Sequence, residues 1–307
     1  MSSNAALQRL SDVAADQWGL ITRRQIVDAG TPPTTLDRLT APGSALARVA
    51  AGVYHLAGAP IPDHLDLRAA WLQLAPDTPV WGRTPDQGVV SHRSAAAVYG
   101  IGHLPADTHE LTLPQRRQTR RPDVKIHIRP LSDPEWITLH GLLVTRPSRI
   151  AADLLREHKD PEAIAVIVAE SIRKNVDNPA AFVTQLAPHA ARLGFRRGDG
   201  LALLTWLLDL THAPEAARWL NEAQAATAIL DQMVSSLWGA TISGGRIGTP
   251  GQPFPEDLEQ REKSRQLAQT LPLGSVERRF YEDMAASAET SIRRTAIDDL
   301  DADGRDW

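Results

Sequence analysis

The chain contains no cysteine among its 307 residues. Disulfides, thiolate metal sites and cysteine nucleophiles are therefore excluded together. No apolar run reaches the ~18 residues that a membrane-spanning helix needs. The opening MSSNAALQRLSD carries neither a basic n-region nor an apolar h-region, so no secretory signal is expected and the cytoplasm is the simplest location. What remains is a chain that is 42% apolar with a mean hydropathy of −0.26, enough for a sizeable core and about two domains.

Enzyme signatures are also missing. There is no G-x-x-x-x-G-K-[ST] phosphate loop and no G-x-S-x-G nucleophile elbow. His109-Glu110 opens like H-E-x-x-H but lacks the second histidine. Gly43-Ser44 is followed by no paired carboxylates of the nucleotidyltransferase kind, and Gly274-Ser275 lies in a charged tail. Pro122-Asp123 and Glu157-His158-Lys159 supply the letters of a restriction-type nuclease. Glu157 and Lys159, however, fall at the end of an expected helix, and Asp123 precedes a strand. The ten histidines show no ligand-like spacing. The expectation is a non-enzyme without cofactor or metal.

The most legible stretch runs from 18 to 56. Thr22 to Gln25 is a capping box, with Ile21 and Ile26 placed as a hydrophobic staple. Gly30 ends that short helix. Thr31 is expected to cap a second helix with Pro32 in its first turn. Leu36 and Leu39 share one side of it, and Thr34, Thr35 and Arg38 occupy the others. Leu46 to Val49 and Val53 to Leu56 are β-prone runs around Ala50-Ala51-Gly52, a short hairpin. Helix, turn, helix, hairpin is the outline of a winged helix-turn-helix. Short polar groups and an arginine suit the major groove, and Arg23, Arg24 and Arg48 suit phosphates. The same outline serves protein-binding adaptors and ligand-responsive regulators, and both remain open.

Net charge is −4, but charge is uneven. Between 111 and 150 stand Arg116, Arg117, Arg120, Arg121, Lys125, Arg129, Arg146 and Arg149 against Asp123, Asp133 and Glu135. The connection QRRQTRRPD is expected either as a second phosphate-contacting surface or as a solvated hairpin loop. VKIHIR alternates as a strand, with Lys125, His127 and Arg129 on one face. Residues 63–75 read as an amphipathic helix, followed by a surface loop, then a helix capped by Ser91. A hairpin is expected across His140-Gly141, and a helix capped by Ser148. Asp160-Pro161 and Asn178-Pro179 each pair an N-cap with a first-turn proline, opening helices near 161–174 and 179–187. Two more helices follow near 199–210 and 214–237. From 256 onward charges dominate.

Three segments resemble one family. GLITRRQIVDAG with RVAAGVYHLAG, then SHRSAAAVYGIG with HELTLP, then GLLVTRPSRIAADLL are similar to the AbiEi-type antitoxins of type IV toxin–antitoxin systems. The resemblance covers roughly residues 10 to 160. It implies an antitoxin that represses its own operon on double-stranded operator DNA and counters a nucleotidyltransferase-like toxin, directly or indirectly. A single head reads a short site, so a dimer or cooperative binding is expected. The expected architecture is α+β and mainly α. A winged helix-turn-helix occupies 1–60. A C-terminal domain at 61–240 is mixed to about 147 and a helical bundle after it. A linker and charged tail fill 241–307.

Overall fold

The computed structural model describes residues 3–119 and 121–243. Among them stand ten α-helices and two β-sheets, a mixed α/β architecture. The expected charged tail and Arg120 lie outside the described residues. No helix among those described is long and apolar enough to cross a membrane.

The first segment, the head, runs α1 (Ser3–Ala15), β1 (Leu20–Thr22), α2 (Arg23–Asp28), α3 (Pro33–Leu39), β2 (Leu46–Ala50) and β3 (Val53–Leu56). Strand β3 lies between β1 and β2, antiparallel to both. The capping box forms as expected. Gln25 N donates to Thr22 Oγ1 at 3.1 Å, and Thr22 N donates to Gln25 Oε1 at 3.0 Å. Leu10, Ala14, Ile21, Ile26, Leu36, Leu39, Leu46 and Tyr54 bury one another as a separate small core. One expectation fails here. Helix α3 begins at Pro33 with Pro32 in the cap position, and the Thr31 hydroxyl is buried without a hydrogen bond. Two consecutive prolines preset φ and bring no amide donors, so no hydroxyl is needed.

The second segment, the body, opens with α4 (Leu65–Leu72). It continues through β4 (Val89–Val90), α5 (His92–Tyr99), β5 (His109–Leu113), β6 (Val124–Ile128), β7 (Trp136–Leu139) and β8 (Leu142–Thr145). The five strands order as β6-β5-β4-β8-β7. Strands β5 and β6 pair in parallel, so residues 114–123 form a crossover and not the hairpin loop that was one expectation. The hairpin at His140-Gly141 is present. Its two turn residues have φ of 50° and 81°, as a type I′ turn requires.

Helix α4 departs from its amphipathic reading. Every residue from Leu67 to Leu72 is buried, because the helix packs on both β2 of the head and β5 of the sheet. Arg68 survives there by donating to Asp63 O at 2.8 Å and His140 O at 3.0 Å, with its guanidinium 4.2 Å from the centre of the Trp18 ring. Arg83, expected in a surface loop, is also buried. It donates to Trp71 O, Leu72 O and Ala75 O at 2.6, 2.7 and 2.6 Å, satisfying carbonyls that the end of α4 leaves free.

Five helices complete the described chain: α6 (Pro147–Arg156), α7 (Pro161–Arg173), α8 (Pro179–Leu186), α9 (Gly200–Thr211) and α10 (Ala216–Ser243). Asp160 and Asn178 cap α7 and α8 as expected. Ser148 does not cap α6. The helix starts at Pro147, two residues before the expected Arg149, and the Ser148 amide donates to Asp177 Oδ2 at 2.8 Å. A carboxylate from the α7–α8 connection thus does the capping, which no local pattern could announce.

Residues 1–231 form one compact unit, and the head is fastened within it. Trp18 Nε1 donates to His140 O at 3.0 Å, Val80 N donates to Gln17 Oε1 at 3.2 Å, and Thr22 Oγ1 donates to Pro76 O. Gly141 permits the approach, since a Cβ there would stand 2.8 Å from the Trp18 ring.

Candidate functional site

The head presents its polar residues outward. On α3, Leu36 and Leu39 face the core while Thr34 and Arg38 are exposed and Thr35 is half-buried. Arg48 on β2 is exposed, and a bulge between Arg48 and Ala50 twists that strand locally. Arg23 and Arg24 are exposed at the start of α2, where Arg24 pairs with Asp28 at 3.2 Å. Arg23, Arg38 and Arg48 have no side-chain ion pair among the described residues. Arg23 and Arg24 line a groove of about 490 Å3 with Ala51, Gly52, Gln73 and Pro76.

The basic crossover reaches the same groove. Gln73 donates to Ala51 O in the β2–β3 turn at 2.7 Å and accepts from Arg121 Nη1 at 2.8 Å. Arg117 donates to Leu74 O. Arg121 also pairs with Asp123, whose carboxyl it holds well below the ordinary carboxylate range. Within the crossover, Arg116 is exposed and has no ion-pair partner among the described residues, whereas Arg117 and Arg121 are engaged by protein atoms. The expected residues therefore fall into a head set, of which Arg23 and Arg24 line the groove, and a crossover set tied to it through Gln73, with different freedom to meet a ligand.

A second constellation escaped the sequence reading. Glu110 on β5 is fully buried and accepts from Arg93 N at 3.0 Å and Arg93 Nε at 3.1 Å. Around it stand His92, His127, Lys125 and Glu157. The His92 and His127 rings stack, 3.5 Å apart at 13°. His127 Nδ1 lies 3.5 Å from Glu157 Oε1, and Lys125 Nζ donates to that same oxygen at 2.5 Å. Burial alone would raise the Glu110 pKa, but His127 and Arg93 outweigh it and hold the carboxyl ionised. Burial and the neighbouring His127 push the His92 pKa down to about 4, so that ring is neutral near pH 7. The alternation of VKIHIR put Lys125 and His127 on one face. Nothing local announced that α5 and the end of α6 would bring His92 and Glu157 to that face.

No protein-family model matches the chain, and no curated protein matches it at a significant level.

Proposed function

We propose that the chain is a winged-helix DNA-binding repressor of the antitoxin type. The observation that carries the DNA-binding reading is the head. Its order is helix, strand, two helices and hairpin, with β3 central in the sheet and the polar side of α3 exposed. In this reading Thr34, Thr35 and Arg38 meet base edges in the major groove. Arg23, Arg24 and Arg48 hold phosphates, which fix register without reading sequence. Arg116 and Arg120 add a sequence-independent grip, while Arg117 and Arg121 stay engaged by protein atoms and hold the crossover in place. The helices after residue 147 would form the bundle of the antitoxin's C-terminal domain. The antitoxin part rests on the three resembling segments, and its partner would be a nucleotidyltransferase-like toxin encoded beside it.

The test is a gel shift of the purified chain on its own upstream DNA at two salt concentrations. A specific, salt-sensitive shift is expected, because each neutralised phosphate contributes about −0.9 to the slope of log K against log salt. Absence of a shift at low salt would remove the DNA reading. Toxin rescue in cells then tests the antitoxin half separately.

A further inference from the structure

We propose that His92, His127 and Glu157 bind a divalent transition-metal ion of the zinc class. Their ligand atoms already lie within 4.8 Å of one another. Two imidazole nitrogens and one carboxylate oxygen are a donor set that suits zinc and its neighbours, and three protein ligands leave a position for water.

Three further observations support an ion here. His127 Nε2, 3.5 Å from Glu110 Oε1, and Glu157 Oε2, 4.0 Å from Lys159 Nζ, are buried and fall short of a hydrogen bond. Such atoms are costly to leave unmet, and a cation would satisfy them. His92 is held by a partner on its other nitrogen, since its Nδ1 sits 3.0 Å from Ser91 Oγ, itself bonded by Thr112 Oγ1 at 2.8 Å. That leaves Nε2 facing the cluster, the arrangement by which metal-binding histidines are usually oriented. Finally, His92 has a φ of 52°, an uncommon conformation for a residue with a side chain, held at the point where its ring enters the cluster.

Lys125 is the competitor. Its ammonium contacts Glu157 and stands 3.7 Å from Glu110, so it serves as the resident counter-charge. Its side chain is 46% exposed and can swing to water, whereas Glu110 stays paired with Arg93. Entry of the ion requires that swing. It also requires the two rings to fan apart from 13°, because near-parallel rings cannot both direct a lone pair at one ion. This inference is independent of DNA binding.

The experiment is a Co2+ titration of the full-length, tag-free, chelator-treated protein, followed by visible ligand-field absorption. One equivalent is expected to give a band that Zn2+ abolishes. His92→Ala and His127→Ala should lose the band, and Glu157→Gln should weaken binding by roughly tenfold or more. Lys125→Gln should tighten it, because the competing ammonium is gone. No band at saturating Co2+, or a band equally strong in both histidine variants, overturns the proposal. Should either histidine variant lose its far-ultraviolet circular dichroism, the partly exposed Glu157 decides: unchanged affinity in Glu157→Gln overturns it. Weaker binding in Lys125→Gln overturns it as well.

Discussion

In the head, Arg23, Arg38 and Arg48 stand in solvent without ion-pair partners among the described residues. In the body, Arg68, Arg83 and Arg149 are turned inward and occupied. Arg149 is held by Glu135 and Asp153, and Arg83 by four carbonyls. The same residue type therefore does opposite jobs a short distance apart. An exposed guanidinium keeps its donors for a phosphate or a base edge. A buried one must have every donor met, and its loss strands its partners in a poor solvent. Charge counting along the sequence cannot separate the two.

Four predictions bear on this contrast, and the largest effect falls in the body. Arg149→Met keeps the volume but leaves Glu135 without that cation and Asp153, which is 1% exposed, with Arg156 alone. A loss of roughly 3–5 kcal/mol is expected from urea unfolding, the range for breaking a buried pair from one side. A change below about 1 kcal/mol would mean that the body's arginines are as dispensable as surface ones.

Acid should reveal the body next. His189 is buried, and burial, with Arg156 and Arg192 beside it, pushes its pKa down to about 4; Asp153 opposes the shift and Arg129 adds to it. The ring is neutral in the folded chain and titrates near 6.5 when unfolded. The unfolded state therefore binds more protons between pH 6.5 and about 4. Stability falls as pH drops through that window, by on the order of 2 kcal/mol from this group. In His189→Gln the fall over that range should be shallower in urea melts taken at several pH values. An unchanged slope would show that the ring is solvated.

For the head the expectation is reversed. Arg38→Ala should leave urea stability within about 0.5 kcal/mol, as exposed substitutions do. If the head binds operator DNA as proposed, the same substitution should cost roughly 1–3 kcal/mol in affinity and relax sequence preference at one base. Unaltered operator binding would show that α3 is not the reading helix.

What could be read beforehand follows the same divide. Capping at Thr22, Asp160 and Asn178, the His140-Gly141 turn and the β2–β3 hairpin of the head were legible, because each is decided by residues within about one turn of helix or hairpin, whereas β1 was missed because it pairs with β3 from a distance. The burial of α4, the fate of Arg83, the parallel pairing of β5 with β6 and the capping of α6 by Asp177 were not. Each depends on an element distant in sequence. The outward residues of the head were legible because Leu36 and Leu39 fixed which side of α3 faces in. The His92–His127–Glu157 cluster was illegible because three separate elements assemble it, although the period-two pattern of β6 had already paired Lys125 with His127.

The smallest effect is the most discriminating, because it sets two arginines of one crossover against each other. Arg116 is free among the described residues, whereas Arg121 is chelated by Asp123 and Gln73. If the crossover grips phosphates with its free arginines, Arg116→Ala should reduce the salt slope of DNA binding by about 0.9. Arg121→Ala should leave the slope nearly unchanged, since its charge is already neutralised by Asp123. It should instead loosen the link through Gln73 to the β2–β3 turn, visible as faster amide exchange at Ala51 and Gly52. Equal losses of slope in the two variants would mean that Arg121 abandons Asp123 on DNA. The body's engaged arginines would then be a reserve of charge, and the distinction between head and body would hold only for the free protein.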